Sequence, residues 1–320
     1  MQGNYKIVID LLGSDKGPEE VLEGAKLVLQ EFDNVDVLLA GPKNLILEAN
    51  LPENRFGILE ADKTVTNYDN PVEAFYKKEP VSVFKALEEA GKNDEVIGVI
   101  NAGNTGALMV GALRFLLDEK RTRPCIAAIL PTSNGGFTCL VDTGASIDCG
   151  PQQLIEFAHL GTEFMRNLYK IESPRVGLLS NGAEPTKGNK LVKETHKLLE
   201  VEEGINFVGN IEGNATLNGL CDVLVCEGFA GNQVLKNSEG MAKNLITEIV
   251  KYGKKTNNPA AMEIVGYLMS KFDFASLGAG IMLGSKKIVM KCRGSSDRVA
   301  IKNAAKILIN LANNKTLYEK

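Results

Sequence analysis

The chain has 320 residues, 44% hydrophobic and 24% charged, which suffices for a large core in one α/β domain or two closely packed ones. A formal net charge of −4 leaves no basic surplus of the kind that nucleic-acid binding requires. No apolar run approaches the roughly 18 residues of a membrane span, and no signal-like segment follows Met1, so a cytoplasmic protein is expected.

Ile7–Ile9 predicts the first strand, followed by a Gly- and Asp-rich turn. A helix comes next, its broad apolar face carrying Val21, Leu22, Ala25, Leu27, Val28 and Leu29. Val35–Ala40 is a strand stopped by Gly41-Pro42, and Gly98–Ile100 is another, handing over to an apolar helix at Leu108–Leu117. Ile126–Leu130 and Phe137–Val141 read as two strands around a Ser-Asn-Gly-Gly turn. Beyond them, Leu154–Leu168 and Lys190–Leu199 are helical, and Arg175–Leu179, Ile205–Val208 and Asp222–Cys226 are strands. These strands are continuously apolar rather than alternating, which indicates a parallel sheet covered by helices on both faces and an α/β/α architecture. No linker, repeat or charge block divides the chain, so a single domain over 1–320 is expected.

Near 240–274 two amphipathic patterns, Met241–Tyr252 and Ala260–Phe272, flank the breaker Gly-Lys-Lys-Thr-Asn-Asn-Pro and predict a helical hairpin. It could pack on the core, pair with a second subunit or touch lipid. Six cysteines (Cys125, Cys139, Cys149, Cys221, Cys226, Cys292) lie in hydrophobic runs without a Cys-x-x-Cys pair. With only His159 and His196 available, no zinc-site spacing can be assembled, and reduced buried thiols are expected. His159 reads as a helix-packing residue and His196 as a solvated one on a polar helix face.

In open α/β sheets ligands collect beyond the carboxyl ends of the strands. After the first strand, Asp10-Leu-Leu-Gly-Ser-Asp-Lys-Gly-Pro18 offers tight turns at Gly13 and Gly17, with Ser14 and Asp15 between them. After Ile100, Asn101-Ala-Gly-Asn-Thr-Gly-Ala107 brings Gly103, Asn104, Thr105 and Gly106 to a helix start, a pattern suited to anions or to an ordinary capped turn. The same blend of Gly, amide, hydroxyl and charged residues recurs at Asp142–Ser146, at Asn181 and Gly182 ahead of Lys187-Gly-Asn189, and at Glu227–Asn232 with Gly231. Lys187 is the best cation for a developing negative charge. Asn189 could equally be a helix cap, and Glu227 a base, a substrate acceptor or a structural carboxylate. The chain has neither the Gly-x-x-x-x-Gly-Lys-Ser/Thr nor the Gly-x-Gly-x-x-Gly fingerprint, and no nucleophile triad is apparent. Direct transfer between two positioned substrates fits these residues better than covalent catalysis.

The motifs Ala102-Gly-Asn-Thr-Gly-Ala107, Pro174-Arg-Val-Gly-Leu-Leu179, Lys187-Gly-Asn189, Gly209-Asn-Ile-Glu-Gly213, Gly228-Phe-Ala-Gly-Asn232 with Leu235-Lys236, and Gly294-Ser-Ser296 span nearly the whole chain in order. In them the chain resembles the phosphate acyltransferases of bacterial phospholipid synthesis, which move an acyl group from acyl-acyl carrier protein to inorganic phosphate. The resemblance implies a Rossmann-like, isopropylmalate dehydrogenase-like α/β/α sandwich, a homodimer, no metal or organic cofactor, an acyl phosphate product, and a hairpin that meets the membrane peripherally. It makes Lys187, Asn189, Glu227 and Asn232 the catalytic candidates. Gly13, Ser14, Asp15, Gly103, Asn104, Thr105, Gly106, Asp142, Ser146, Asn181, Gly182 and Gly231 become the substrate- and phosphate-binding candidates.

Departures cluster in the loops. The family's usual Asp-Ala-Met-Gly-Gly-Asp is Asp10-Leu-Leu-Gly-Ser-Asp15, its Asp-Val-Gly-Ala-Asn is Asp142-Thr-Gly-Ala-Ser146, its Asp before Gly-Phe is Glu227, and its His before Gly-Ser-Ser is Arg293. The hairpin reads as shorter than usual. An altered acyl group is therefore expected, with acetyl transfer of the kind found in glycine reductase-type complexes as the alternative to a long chain. A non-catalytic carrier-binding subunit is a further alternative, and a dehydrogenase of similar fold the weakest, since no nicotinamide site can be placed.

Overall fold

The computed structural model describes residues 5–118, 123–272 and 279–313. In chain order the elements are β1 (Tyr5–Asp10), α1 (Pro18–Glu31), β2 (Val35–Gly41), α2 (Lys43–Glu48), β3 (Phe56–Glu60), α3 (Pro71–Tyr76), α4 (Ser82–Lys92), β4 (Val96–Asn101) and α5 (Thr105–Phe115). There follow β5 (Cys125–Pro131), β6 (Phe137–Val141), α6 (Pro151–Tyr169), β7 (Arg175–Ser180), α7 (Lys190–Leu199), β8 (Asn206–Glu212), β9 (Val223–Val225), α8 (Gly228–Thr256) and α9 (Ala260–Lys271). The chain closes with β10 (Gly280–Leu283), β11 (Ile288–Lys291) and α10 (Arg298–Asn313). It divides into two compact units, Met1–Ile126 with Gly278–Lys320, and Ala127–Leu277.

In the first unit the strands run in the order β3-β2-β1-β4-β11-β10, parallel except for the last pair. Ile7, Val8 and Ile9 are fully buried, as are Val37, Leu39, Val99 and Ile100, so the unbroken apolar runs have the cause expected of them. Helix α1 packs on α10 so closely that a Cβ on Gly24 would fall 2.7 Å from the Ile301 side chain, and α4 packs on α5. From β1 the chain winds outward to β2 and β3, then returns to place β4 on the other side of β1. That reversal is a topological switch point, where strand ends leave a crevice.

In the second unit the order is β5-β6-β9-β7-β8, with β5 antiparallel to β6 and the rest parallel. The sheet is thus mostly parallel rather than wholly so. Its core includes Leu130, Leu140, Leu224 and Cys226, against which Leu179, Val234 and Phe272 are packed. The hairpin expected near 240–274 is present, but its first arm is the end of a 29-residue helix that starts at Gly228. Gly240 does not break it: a Cβ there would meet nothing, so the position costs about 1 kcal/mol in propensity and no packing. Asn257, left-handed at φ 50°, ends α8 and leads through Pro259 into α9. Positions 273–274 of the expected hairpin lie outside the described residues.

Candidate active site

At the switch point of the first unit the loops after β1 and β4 touch. A Cβ on Gly13, where φ is +85°, would lie 2.8 Å from the Gly103 Cα, so glycine is required for this approach. Beneath them, Asp10 is 1% exposed, and its carboxylate accepts from the Leu12 backbone N–H at 3.2 Å and from Asn101 Nδ2 at 2.7 Å. Asn101 Oδ1 in turn accepts from the Gly103 N–H at 3.1 Å. Asp10 therefore ties both loops to the strand ends. Burial raises its pKa to about 6, against the opposing pull of the Ser82 hydroxyl, these hydrogen bonds and the Lys291 charge. Lys291, at the end of β11, gives a hydrogen bond to the Cys292 carbonyl, and burial holds its ammonium below the ordinary value.

Of the residues expected in these loops, Ser14 donates through Oγ to the Gly294 carbonyl at 3.0 Å, and the Asp15 N–H bonds the same oxygen at 2.9 Å. Asn104 is the N-cap of α5, accepting from the Ala107 N–H at 2.9 Å and donating to the Thr66 carbonyl at 3.0 Å. Thr105 and Gly106 form the first turn of that helix, where Gly106 packs against Pro71. Gly13, Ser14, Asp15 and Gly103 to Gly106 are thus brought to one strand-end region. Asp10, Asn101 and Lys291, which hold it in place, are not among the expected site residues. The signal for Asp10 was its place directly after the fully buried run Ile7–Ile9.

In the second unit the loop Asp142–Ser146 lies under the start of α8. Asp142 accepts from the Ala145 N–H at 3.2 Å and the Ser146 N–H at 2.7 Å, and the Gly228 N–H donates to the Ser146 carbonyl at 2.7 Å. A Cβ on Gly228 would fall 2.7 Å from Asp142 Oδ2, and one on Gly231 1.9 Å from the Asp142 carbonyl oxygen. The Gly-Phe-Ala-Gly motif is therefore a contact between a helix and a loop backbone. Asn232 Nδ2 completes it with a 3.2 Å bond to the Thr143 carbonyl. Glu227, the N-cap of α8, accepts from the Phe229 N–H at 2.5 Å and the Ala230 N–H at 3.0 Å, which is the structural alternative for this carboxylate. Asp142, Ser146, Glu227, Gly231 and Asn232 thus form one group.

Asn181, Gly182, Lys187 and Asn189 share the loop between β7 and α7. Asn181 Oδ1 accepts from the Gly188 N–H at 2.8 Å, and Gly182 is buried against the Lys187 stem. Asn189 caps α7 through the Val192 N–H at 2.9 Å. Lys187 is exposed. The loop is tied down by His196, which is 4% exposed and not on a solvated face. Asn210 donates to the Glu184 carbonyl at 2.9 Å, so its Oδ1 is the acceptor that meets His196 Nδ1 at 2.9 Å, and Phe207 packs edge-on against the ring. His159 is half-buried on α6 and meets Glu202 at 2.7 Å.

Below this loop a pocket of about 400 Å³ opens at the ends of β7 and β9. Leu154, Leu178, Leu179, Leu191, Val192 and Val234 wall it, and Ser180, Asn181, Asn189 and Glu227 stand among its lining residues. Cys226 also lines it, but burial pushes its thiol well above the ordinary value, so it supplies no thiolate nucleophile. Five of the six cysteines are buried and Cys149 is half-buried.

A sequence model of the family described as fatty acid synthesis protein matches residues 5–318. A phosphate acyltransferase from Halothermothrix orenii is 38% identical over 317 residues, covering 94% of this chain and 93% of the relative. Among solved structures, a phosphotransacetylase from Streptococcus pyogenes superposes with a TM-score of 0.61 at 16% identity, covering 98% of this chain and 94% of the other. A 4-hydroxythreonine-4-phosphate dehydrogenase from Klebsiella pneumoniae gives a TM-score of 0.54 at 11% identity, covering 96% and 99%. These likenesses agree with the Rossmann-like α/β/α architecture read from the sequence.

Proposed function

The chain belongs to the fatty acid synthesis protein family, and from that premise we propose that it transfers an acyl group from an acyl-acyl carrier protein thioester to inorganic phosphate, giving acyl phosphate for phospholipid synthesis. The observation that carries this reading is the full-length match to phosphate acyltransferases, joined to strand-end loops rich in backbone N–H donors and amides in both units. The single acyltransferase domain over 1–320 is kept as part of the proposal, since the family match spans both units.

A phosphate oxygen attacks the thioester carbonyl, the carbon–sulfur bond breaks, and the thiol leaves with a proton. Phosphate is a competent nucleophile near neutral pH, so the residues need only position it and stabilise charge. The Gly/Asn loops are assigned to phosphate. Lys187, on an exposed Gly-rich loop beside the N-terminus of α7, is assigned to the tetrahedral oxyanion together with Asn189. Glu227 and Asn232 fix the start of α8 on the Asp142–Ser146 loop. No step draws on a metal or organic cofactor.

The partners proposed are an acyl carrier protein, phosphate and a second copy of the chain. The hairpin exposes Met241, Leu245, Tyr252, Met262, Ile264 and Met269, which supports pairing with a second subunit or peripheral contact with lipid in a cytoplasmic protein. Among the described residues no helix is long and apolar enough to cross a membrane. Sedimentation with and without anionic vesicles separates the two roles. The reaction is tested by supplying palmitoyl- or acetyl-acyl carrier protein with phosphate and trapping acyl phosphate with hydroxylamine; no phosphate-dependent hydroxamate from either donor rejects it.

A further inference from the structure

We infer that His196 and Asn210 are positioning residues for Lys187: together they form a buried relay that fixes the turn from which its side chain projects. The inference rests on the oxyanion role proposed for Lys187 and goes beyond it by naming what holds that group in place.

The turn closes on one atom. The Glu184 carbonyl accepts from the Lys187 N–H at 3.0 Å and from Asn210 Nδ2 at 2.9 Å. The backbone bond is local, whereas the amide reaches in from β8, twenty-six positions further along, and anchors the turn to the sheet. Residues 183–187 are all exposed, and on its other side the turn is held by Asn181, which accepts from the Gly188 N–H at 2.8 Å.

Asn210 donates in this direction because its Oδ1 is satisfied by His196 Nδ1 at 2.9 Å. An amide turned over would set its oxygen against the Glu184 carbonyl, two acceptors face to face. The direction of the bond therefore places a proton on Nδ1. The ring is held there by Phe207, edge-on with centroids 5.0 Å apart, and by Glu200 Oε1, 3.4 Å from Nε2. His196 is 4% and Asn210 6% exposed, so water competes little for either bond.

The strand is shaped to bring these groups together. Phe207 and Asn210 are three positions apart, and on a regular strand they would face opposite sides of the sheet. Between them β8 gains one residue on β7: Val176 pairs with Phe207 but Leu178 with Asn210, and Gly209 between them has φ +95°. This bulge turns Asn210 to the face on which Phe207 meets His196.

The test is a double-mutant cycle. Asn210→Asp keeps the acceptor for His196 and the shape of the side chain, but sets an oxygen against the Glu184 carbonyl. With acyl-acyl carrier protein and phosphate as substrates, its kcat is expected to fall about tenfold or more, with KM for each substrate within about twofold. In a Lys187→Ala background the same substitution is expected to cost less than about twofold, because the group it positions is gone. His196→Phe should lose kcat in the same way, and His196→Asn, whose amide N–H can take the place of Nδ1, should recover most of it. Hydrogen exchange of the Lys187 and Gly188 amides reads the turn without turnover, and is expected to be about fivefold or more faster in Asn210→Asp and His196→Phe. An unchanged kcat in folded Asn210→Asp, an equal loss in both backgrounds, or wild-type exchange at these two amides overturns the inference. If Lys187→Ala alone leaves kcat unchanged, the oxyanion role fails instead, and the exchange rates still decide whether the relay holds the turn.

Discussion

Replacing Asp10 by Asn should change how stability depends on pH. In the folded protein burial raises the Asp10 pKa from the ordinary 3.8 to about 6. At roughly 1.36 kcal/mol for each pH unit, that rise is worth about 3 kcal/mol. The folded state holds this proton more tightly than the unfolded chain does. Its contribution is therefore fully present below about pH 4, is lost as pH rises towards 6, and is level above that. The amide introduced by Asp10→Asn carries no titrating proton, and it forfeits one acceptor, towards Leu12 or Asn101, at about 1 kcal/mol at every pH. Urea unfolding of both proteins between about pH 4 and pH 7 should show the wild-type protein losing up to about 3 kcal/mol relative to Asp10→Asn, other titrating groups cancelling in the comparison. Lys291 and Asp15 are the charged groups on neighbouring segments. Lys291→Met removes the cation that lowers the Asp10 pKa and should move the transition to higher pH. Parallel pH profiles for wild-type and Asp10→Asn would refute the claim that this buried carboxyl is the source.

Two further substitutions probe the second unit. Gly231→Ala should destabilise by about 1–3 kcal/mol or more and lower the melting temperature by several degrees, because its Cβ would meet a backbone oxygen at 1.9 Å that no rotamer change can relieve; an unaltered melting curve contradicts the tight seating of α8. Lys187→Ala should leave the fold intact, since the residue is exposed, and reduce turnover by about 10²-fold or more. Unchanged kcat in the folded variant removes the oxyanion role.

The strand ends were legible in the sequence because buried parallel strands are apolar throughout and stop abruptly at Gly, Asn or Asp. Lys190–Leu199 agrees with the observed helix to the residue, since Asn189 caps it by the ordinary chemistry of an amide before a helical period. The strands β3, β10 and β11 escaped notice: β3 is half-buried, and the other two have only four residues each. The amphipathic helix α10 also went unread, although its buried Ile301, Ala304, Ala305, Leu308 and Ile309 follow a helical period. The polarity of His196 concealed its burial, which comes from Asn210 and Phe207 on β8, fourteen and eleven positions further along. For the candidate site, the roles of the loop residues were not separable in the sequence. Asn104, Asn189 and Glu227 have the side chains that bind anions or substrates, and the same oxygens serve as caps of their own helices. The pocket at the ends of β7 and β9 had no local signal, because Leu154, Leu179, Leu191 and Val234 reach it from four separate elements.

The most direct test is the yield of hydroxylamine-trapped acyl phosphate from the purified full-length chain, given dodecanoyl-acyl carrier protein, as inorganic phosphate is varied. Acyl transfer to phosphate predicts a saturable rise from a negligible yield without phosphate, matched mole for mole by free thiol on the carrier. Release of thiol without hydroxamate, or a yield indifferent to phosphate, would contradict it.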